Sequence, residues 1–237
     1  MRKWHGVVLT SSQRSQRTAK RLYIRNLPLQ VEPILPNTLA ANLNPPPYSP
    51  HQMRILIAIT GASGAIYAQR LLDRLDPNEH EVHVILSSYA HTVLKQELPR
   101  GLRLPEGAEQ HSLKSMDVPF ASGTGAADVM VVIPCSMGTM GRIAHGYSED
   151  VLLRAADVVL KEKKKLILVP RETPLNLVHV KNMELLLQAG ATLLPANPFF
   201  YSGAKTLEDL ADTVVARVLD HMNIAHDIGP RWAEEVD

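Results

Sequence analysis

Five short apolar runs, each followed by a stretch of different period, constrain this chain more than any other feature. The runs cover residues 54–60, 81–86, 128–133, 165–169 and 191–194, and the last three are closed by Pro134, Pro170 and Pro195. Helical patterning occupies 65–75, 89–97, 150–162, 176–188 and 206–222. Continuous apolar strands alternating with amphipathic helices predict an α/β protein whose parallel sheet is covered on both faces. Right-handed crossovers bring every strand's C-terminal end to one edge. Ligands of such sheets bind at that edge, where the strand order reverses.

Residues 1–52 break the pattern. They hold seven basic residues against one acid, Glu32; with 25 basic and 24 acidic residues in all, the rest carries 18 against 23. Seven of the 17 prolines also fall here, including Pro45-Pro46-Pro47. Such a stretch buries too little apolar surface to offset its ordering entropy, so a disordered basic, Pro-rich extension is expected. A transit peptide, a mis-assigned start ahead of Met53 and a plain tail all stay open. The expected location is cytoplasmic, or mitochondrial if residues 1–52 are a genuine transit peptide. A formal charge of +1 gives no electrostatic case for binding nucleic acid. No apolar run reaches the ~20 residues needed to cross a bilayer. The single cysteine, Cys135, excludes an internal disulfide framework and a cysteine-rich zinc module.

The expected strand ends carry a consistent chemistry. After the first comes Thr60-Gly61-Ala62-Ser63-Gly64, whose small residues admit close backbone approach and whose following helix offers a positive N-terminus to a phosphate. Ser87 and Ser88 follow the second strand, where a nicotinamide enzyme would carry an acid for the ribose. The third ends in Pro134-Cys135-Ser136-Met137-Gly138-Thr139, the fourth in Pro170-Arg171-Glu172-Thr173-Pro174, and the fifth in Pro198-Phe199-Phe200-Tyr201. Hydroxyls, amides, two charges and an aromatic suit a phosphorylated planar cofactor. The ten histidines show no metal-ligand spacing, and His145 and His179 fall at helix ends as capping or core residues. Cys135, directly after a strand and a proline, reads as a small buried residue.

Four motifs together resemble one family: Gly61-Ala-Ser-Gly-Ala65, Ile133-Pro-Cys-Ser-Met-Gly-Thr139, Arg154-Ala-Ala-Asp-Val-Val-Leu-Lys-Glu162 and Val169-Pro-Arg-Glu-Thr-Pro-Leu175. In this order they are similar to the flavin prenyltransferases, the UbiX or phenylacrylate-decarboxylase-like family. The likeness runs from about Met53 to the closing Pro230-Arg231-Trp232. It implies a flavoprotein domain over 53–237 with a three-layer Rossmann-like, flavodoxin-like parallel sheet. It also implies a reaction: a dimethylallyl group from dimethylallyl phosphate is joined to N5 and C6 of reduced FMN. The prenylated FMN then serves a UbiD-type decarboxylase. Members are metal-independent and assemble as homo-oligomers, typically dodecamers.

The resemblance also assigns residues. Gly61, Ala62 and Ser63 hold the flavin, with Ser63 near its N5 edge. Ser87, Ser136, Met137, Gly138 and Thr139 are matched to FMN contacts, and Arg154 to the FMN-binding arginine. Lys161, Arg171, Tyr201 and Arg217 are matched to the prenyl phosphate, with Lys161 also counted as catalytic. Several of these are expected to act across subunit boundaries. Glu172 is the expected base for the C6 proton, with the released phosphate as the alternative acceptor; its structural alternative is a buried ion pair with Arg171. Glu97 is expected to polarise or position the N5 side. One departure concerns a tryptophan that faces the prenyl cation in many members; Met116 falls near its place, with Phe120 or Tyr201 as possible substitutes.

Three rivals share parts of this pattern. A short-chain dehydrogenase would place Tyr201 and Lys205 one turn apart on a helix, but Pro198 and Gly203 argue for a loop, and Tyr67 replaces its last cofactor-turn glycine. An FMN-dependent peptidyl-cysteine decarboxylase of related fold needs a Pro-x-Met-Asn clamp that is absent. A flavin-storing protein would have no use for a second phosphate site.

Overall fold

The computed structural model describes residues 52–229; the expected extension up to residue 51 and the Pro230-Arg231-Trp232 motif lie outside the described residues. Six strands are present: β1 (Met53–Ile59), β2 (His80–Leu86), β3 (Glu109–His111), β4 (Val129–Cys135), β5 (Lys165–Pro170) and β6 (Thr192–Leu193). All pair in parallel, in the order β3-β2-β1-β4-β5-β6. Six helices connect and cover them: α1 (Ala65–Leu72), α2 (Ala90–Glu97), α3 (Met137–Ala144), α4 (Val151–Lys161), α5 (Leu177–Gln188) and α6 (Leu207–Met222). Among the described residues, no helix is long and apolar enough to cross a membrane.

Strand periodicity divides the core between the two faces. Ile55, Ile57 and Ile59 of β1 pack with Leu71 of α1, Leu94 of α2 and Leu219 of α6. Leu56 and Ala58 point the other way, toward Met140 of α3, Leu152 of α4 and Leu186 of α5. The three expected layers therefore form because successive residues of a strand face opposite sides. On the outer side of the first layer, Asp212 of α6 draws in Arg70 of α1 and Arg74 just beyond its end (2.5 and 3.3 Å).

Helix starts follow side-chain chemistry. Asp150, Asn176 and Thr206 accept hydrogen bonds from the third-residue N–H of α4, α5 and α6, and the last two complete reciprocal capping boxes. His179 is the return partner of Asn176 and His145 is the C-cap of α3, so both serve at helix ends as expected.

Three features depart from the sequence reading. A sixth strand, β3, has only three residues, all polar or half-buried, so it carries no apolar run to betray it. Helix α3 occupies 137–144, a stretch to which the sequence pattern assigns no helix; Ser136 caps it by accepting from the N–H of Thr139 (3.3 Å). Pro134 lies within β4, one residue before its end, whereas Pro170 ends β5 as expected. The β4–β5 register shifts between Val132 and Cys135, which accommodates a residue without an N–H.

The chain pairs β2 with one side of β1 and later returns to pair β4 with the other. The connections leaving β1 and β4 therefore diverge, opening a crevice at their C-terminal ends. Buried Thr60 joins the two ends: its hydroxyl donates to the carbonyl of Pro134 (2.7 Å) and accepts from the N–H of Ser136 (2.8 Å). A Thr60→Val substitution keeps the shape but leaves the Ser136 amide without its acceptor. It is expected to lower stability by about 1–3 kcal/mol, read as a lower urea midpoint with unchanged slope at one protein concentration.

Candidate functional site

A cavity of about 350 Å³ occupies that crevice, lined among others by Gly61, Ser87, Ser136, Thr139, Arg142 and Asp150. Its size lies at the lower end of the ~300–1,000 Å³ common for small-molecule sites. The loops after β1, β2 and β4 thus bring four of the expected flavin residues to one place. Ala62 and Met137 are buried beside them, and Gly138 is exposed on the first turn of α3. Space is open where a Cβ on Gly138 would stand, so a ligand can approach that turn. The first N–H groups of an α-helix lack intrahelical acceptors, and those of α3 belong to this turn. The donor set fits a phosphorylated planar group of the FMN type.

Two glycines shape the first loop. A Cβ on Gly61 would lie 2.5 Å from Cβ of Tyr89, whose exposed ring stands at the cavity. Gly64 takes φ 116°, which side chains rarely adopt, and caps the start of α1.

The N-terminus of α1 is already engaged, which corrects the expectation that it holds a phosphate. A Glu97 carboxylate oxygen accepts from the N–H groups of Gly64 (2.8 Å) and Ala65 (2.7 Å). Partial burial pushes the Glu97 carboxyl upward. Bonds from the Ser63 hydroxyl and the two amides, with the charge of Arg171, outweigh it and hold the group below the usual carboxylate range. Arg171 donates from Nε to the carbonyl of Ser63 (3.1 Å), and its charge also opposes the upward shift that burial gives the Tyr67 phenol. Ser63, Glu97, Arg171 and Tyr67 therefore form one charged corner around the Gly61–Gly64 loop. In this geometry Glu97 positions Ser63.

The remaining expected residues are distributed differently. Glu172 is exposed and accepts from the N–H of Thr173 (3.0 Å), while Arg171 turns to Ser63, so the alternative of a buried Arg171–Glu172 pair does not hold. Tyr201 is exposed and stacks on Phe199 (centroids 4.6 Å, 19°). Arg217 lies exposed on α6, paired with Asp220 at 2.6 Å. Within one chain, Arg154 and Lys161 do not reach the cavity. Arg154 donates to the carbonyl of Ala121 (3.0 Å) and to Asp157 (2.9 Å). Lys161 ends α4 four residues before β5 begins, at the opposite edge of the sheet, and pairs with Glu162.

Phe120 cannot replace the missing tryptophan within the chain, because it is fully buried against His83 and His111. Met116 is exposed in a separate cleft with Arg54. Tyr201 and Lys205 both precede α6, so the dehydrogenase helix pair is absent. Cys135 is fully buried and its thiol is pushed up to about 12, as befits a packing residue. Thr60, Tyr89, Arg142 and Asp150 were missed at the site. Nearness to strand ends in the chain marks Thr60, Tyr89 and Arg142, whereas Asp150 carries only the signal of a helix cap.

Since the Glu97 pKa is lowered on folding, its contribution exists above the unfolded value, near 4.3, and disappears as pH falls through the folded value. Glu97→Gln is therefore expected to destabilise the protein at pH 7, with the gap to wild type closing below about pH 4. Urea midpoints across this range test it; a gap independent of pH would show that ionisation is not involved.

The Flavoprotein family model matches residues 44–219. The flavin prenyltransferase UbiX of Alkalihalophilus pseudofirmus is 43% identical over 190 residues, covering 75% of this chain and 95% of that protein. A crystal structure of AnUbiX (PadA1) in complex with FMN and dimethylallyl pyrophosphate is 38% identical, with a TM-score of 0.71 over 78% of this chain and 99% of that one. A dodecameric FMN-dependent UbiX-like decarboxylase from Escherichia coli O157:H7 is 37% identical, with a TM-score of 0.69 over 77% and 100%. A PPC decarboxylase, at 22% identity and a TM-score of 0.54, shares the fold alone. Sequence, fold and the cavity at the β1–β4 divergence together place this chain in the Flavoprotein family, among the UbiX flavin prenyltransferases.

Proposed function

We propose that the protein joins a dimethylallyl group to N5 and C6 of reduced FMN, making prenylated FMN. The observation that carries this reading is the convergence of Gly61, Ser87, Ser136 and Thr139 on one cavity, with the Ser63–Glu97–Arg171 corner on its first loop. Two anionic substrates need two sets of donors, and the loop and the α3 turn supply them side by side. The alternative of a peptidyl-cysteine-type decarboxylase has only a relative of shared fold in its support.

The substrates supply a nucleophilic N5 and C6 on one side and an allylic carbon bearing phosphate on the other. The amides and hydroxyls of the α3 turn are placed to hold FMN, its phosphate at the helix start. Ser63, fixed by Glu97, faces the N5 side. Arg171 offers a permanent charge and a planar fork to the phosphate that departs with the allylic electron pair. Tyr201 and Arg217 complete the phosphate site in this reading. Glu172, exposed on the same loop as Arg171, accepts the C6 proton.

Copies of the chain are expected to associate. Leu177, Val178, Val180, Leu185 and Leu187 of α5 are 72, 66, 47, 44 and 56% exposed, an apolar face suited to burial between subunits. The dodecameric relative supports twelve copies. In such an assembly Arg154 and Lys161 serve a neighbouring copy's site. We take the donor to be the monophosphate, the reaction to need no metal, and the product to pass to a UbiD-type decarboxylase in the cytoplasm. Residues 53–237 form the catalytic domain, and residues 1–52 are an addition to it.

Anaerobic incubation with reduced FMN and dimethylallyl phosphate, followed by mass analysis of the flavin, tests the activity. A flavin heavier by one prenyl unit is expected, and unmodified FMN would refute it. Running the diphosphate in parallel decides the donor. Glu172→Gln is expected to keep FMN binding and to slow single turnover by ~10²–10⁴-fold. An unchanged rate removes Glu172 from the mechanism.

A further inference from the structure

Away from the cavity, three side chains on one face of β2 and β3 point their donor atoms at a common centre. Parallel pairing sets His83 opposite Glu109 and Ile85 opposite His111. Because alternate residues share a face, His83, Glu109 and His111 emerge on the same side of the sheet. His83 Nδ1 lies 2.9 Å from His111 Nε2, and a Glu109 oxygen lies 3.9 Å from the first and 3.8 Å from the second. All three ligand atoms fall within 4.8 Å of one another.

The surroundings complete the arrangement of a metal site. His83 is 97% buried, being 3% exposed, and its other ring nitrogen, Nε2, meets a Glu81 oxygen at 3.0 Å. A carboxylate on the far nitrogen of a ligating histidine fixes its tautomer and ring orientation. Glu81 is itself held by Nε of Arg54 (2.9 Å), whose Nη1 donates to the carbonyl of Gly125 (2.9 Å). The Phe120 ring, 5.3 and 5.2 Å from the two imidazoles, closes the inner side. Glu109, 69% exposed in its side chain, leaves the outer side open to water.

We propose that His83, His111 and Glu109 bind a divalent transition ion of the zinc class, with water as fourth ligand, pinning the short edge strand β3 to β2. Two imidazoles and a carboxylate are a donor set that suits zinc. With metal–ligand bonds of ~2.0–2.1 Å, tetrahedral ligand atoms stand about 3.3 Å apart. The imidazoles need to separate by only a few tenths of an ångström and Glu109 to close by a similar amount. His111 then carries its proton on Nδ1. The site is independent of prenyl transfer, and its role is structural. Sequence inspection found no ligand spacing because the histidines lie 28 residues apart, on strands that only the fold makes adjacent.

Full-length protein, freed of any histidine tag and stripped with chelator, is titrated with Co²⁺ and then Zn²⁺. One equivalent of Co²⁺ per chain is expected, with the visible bands of a tetrahedral ion, displaced by Zn²⁺. His111→Ala retains every other histidine and is expected to abolish the bands. Glu109→Gln changes an exposed residue without endangering the fold and is expected to weaken Zn²⁺ at least tenfold. Glu81→Gln is expected to weaken it ~10–100-fold while keeping one equivalent. Wild-type protein without saturable Co²⁺ binding, or binding unchanged in His111→Ala or Glu109→Gln, would overturn the site.

Discussion

The structure depends on how two parallel strands part company. β1 and β4 lie side by side for most of their length, but the segments that follow them leave in opposite directions. A gap between parting chains exposes backbone groups that would otherwise be unpaired. Thr60 closes the inner end of the gap with one hydroxyl, taking the Ser136 amide and giving to the Pro134 carbonyl. Beyond that stitch the walls are made of Gly61, Ser87, Ser136 and Thr139, so the place where the fold cannot continue its own pairing is left as a cavity lined by small and hydroxyl-bearing residues.

Electrostatics then separates two roles that small-residue loops alone would leave equivalent. Both α1 and α3 start at this edge, and either could attract an anion by its N-terminal amides. Glu97 places its own charge on the start of α1, whereas the cap of the α3 turn is the Ser136 hydroxyl. The same carboxylate reaches the Ser63 hydroxyl, while Arg171 takes the Ser63 carbonyl. Ser63 is thereby held from both ends, and a cation stands beside it. A loop built only of glycine, alanine and serine would lack that rigidity.

The opposite arm of the sheet follows the same logic with a different outcome. β3 pairs with β2 over three residues, too few to bury a run of its own. Its polar side chains nevertheless meet His83 and Phe120, so the edge is held by imidazole and carboxylate contacts where the middle of the sheet relies on apolar packing.

What the sequence determined by itself was the local and periodic part: five strands and five helices near their observed bounds, the faces they bury, and the strand-end motifs carrying hydroxyls and glycines. These follow from side-chain period and capping chemistry, which act over a few residues. Tertiary structure alone decided which ends meet. It sent Arg154 and Lys161 away from the cavity, turned Arg171 to Ser63 and not to Glu172, buried Phe120, and set Glu97 on a helix 33 residues earlier in the chain. It also made β3 a strand and brought His83 beside His111. A hydrogen bond or ion pair depends on a few ångströms of separation in space, and neighbours at that distance are chosen by sheet order and crossover direction, which no local pattern encodes.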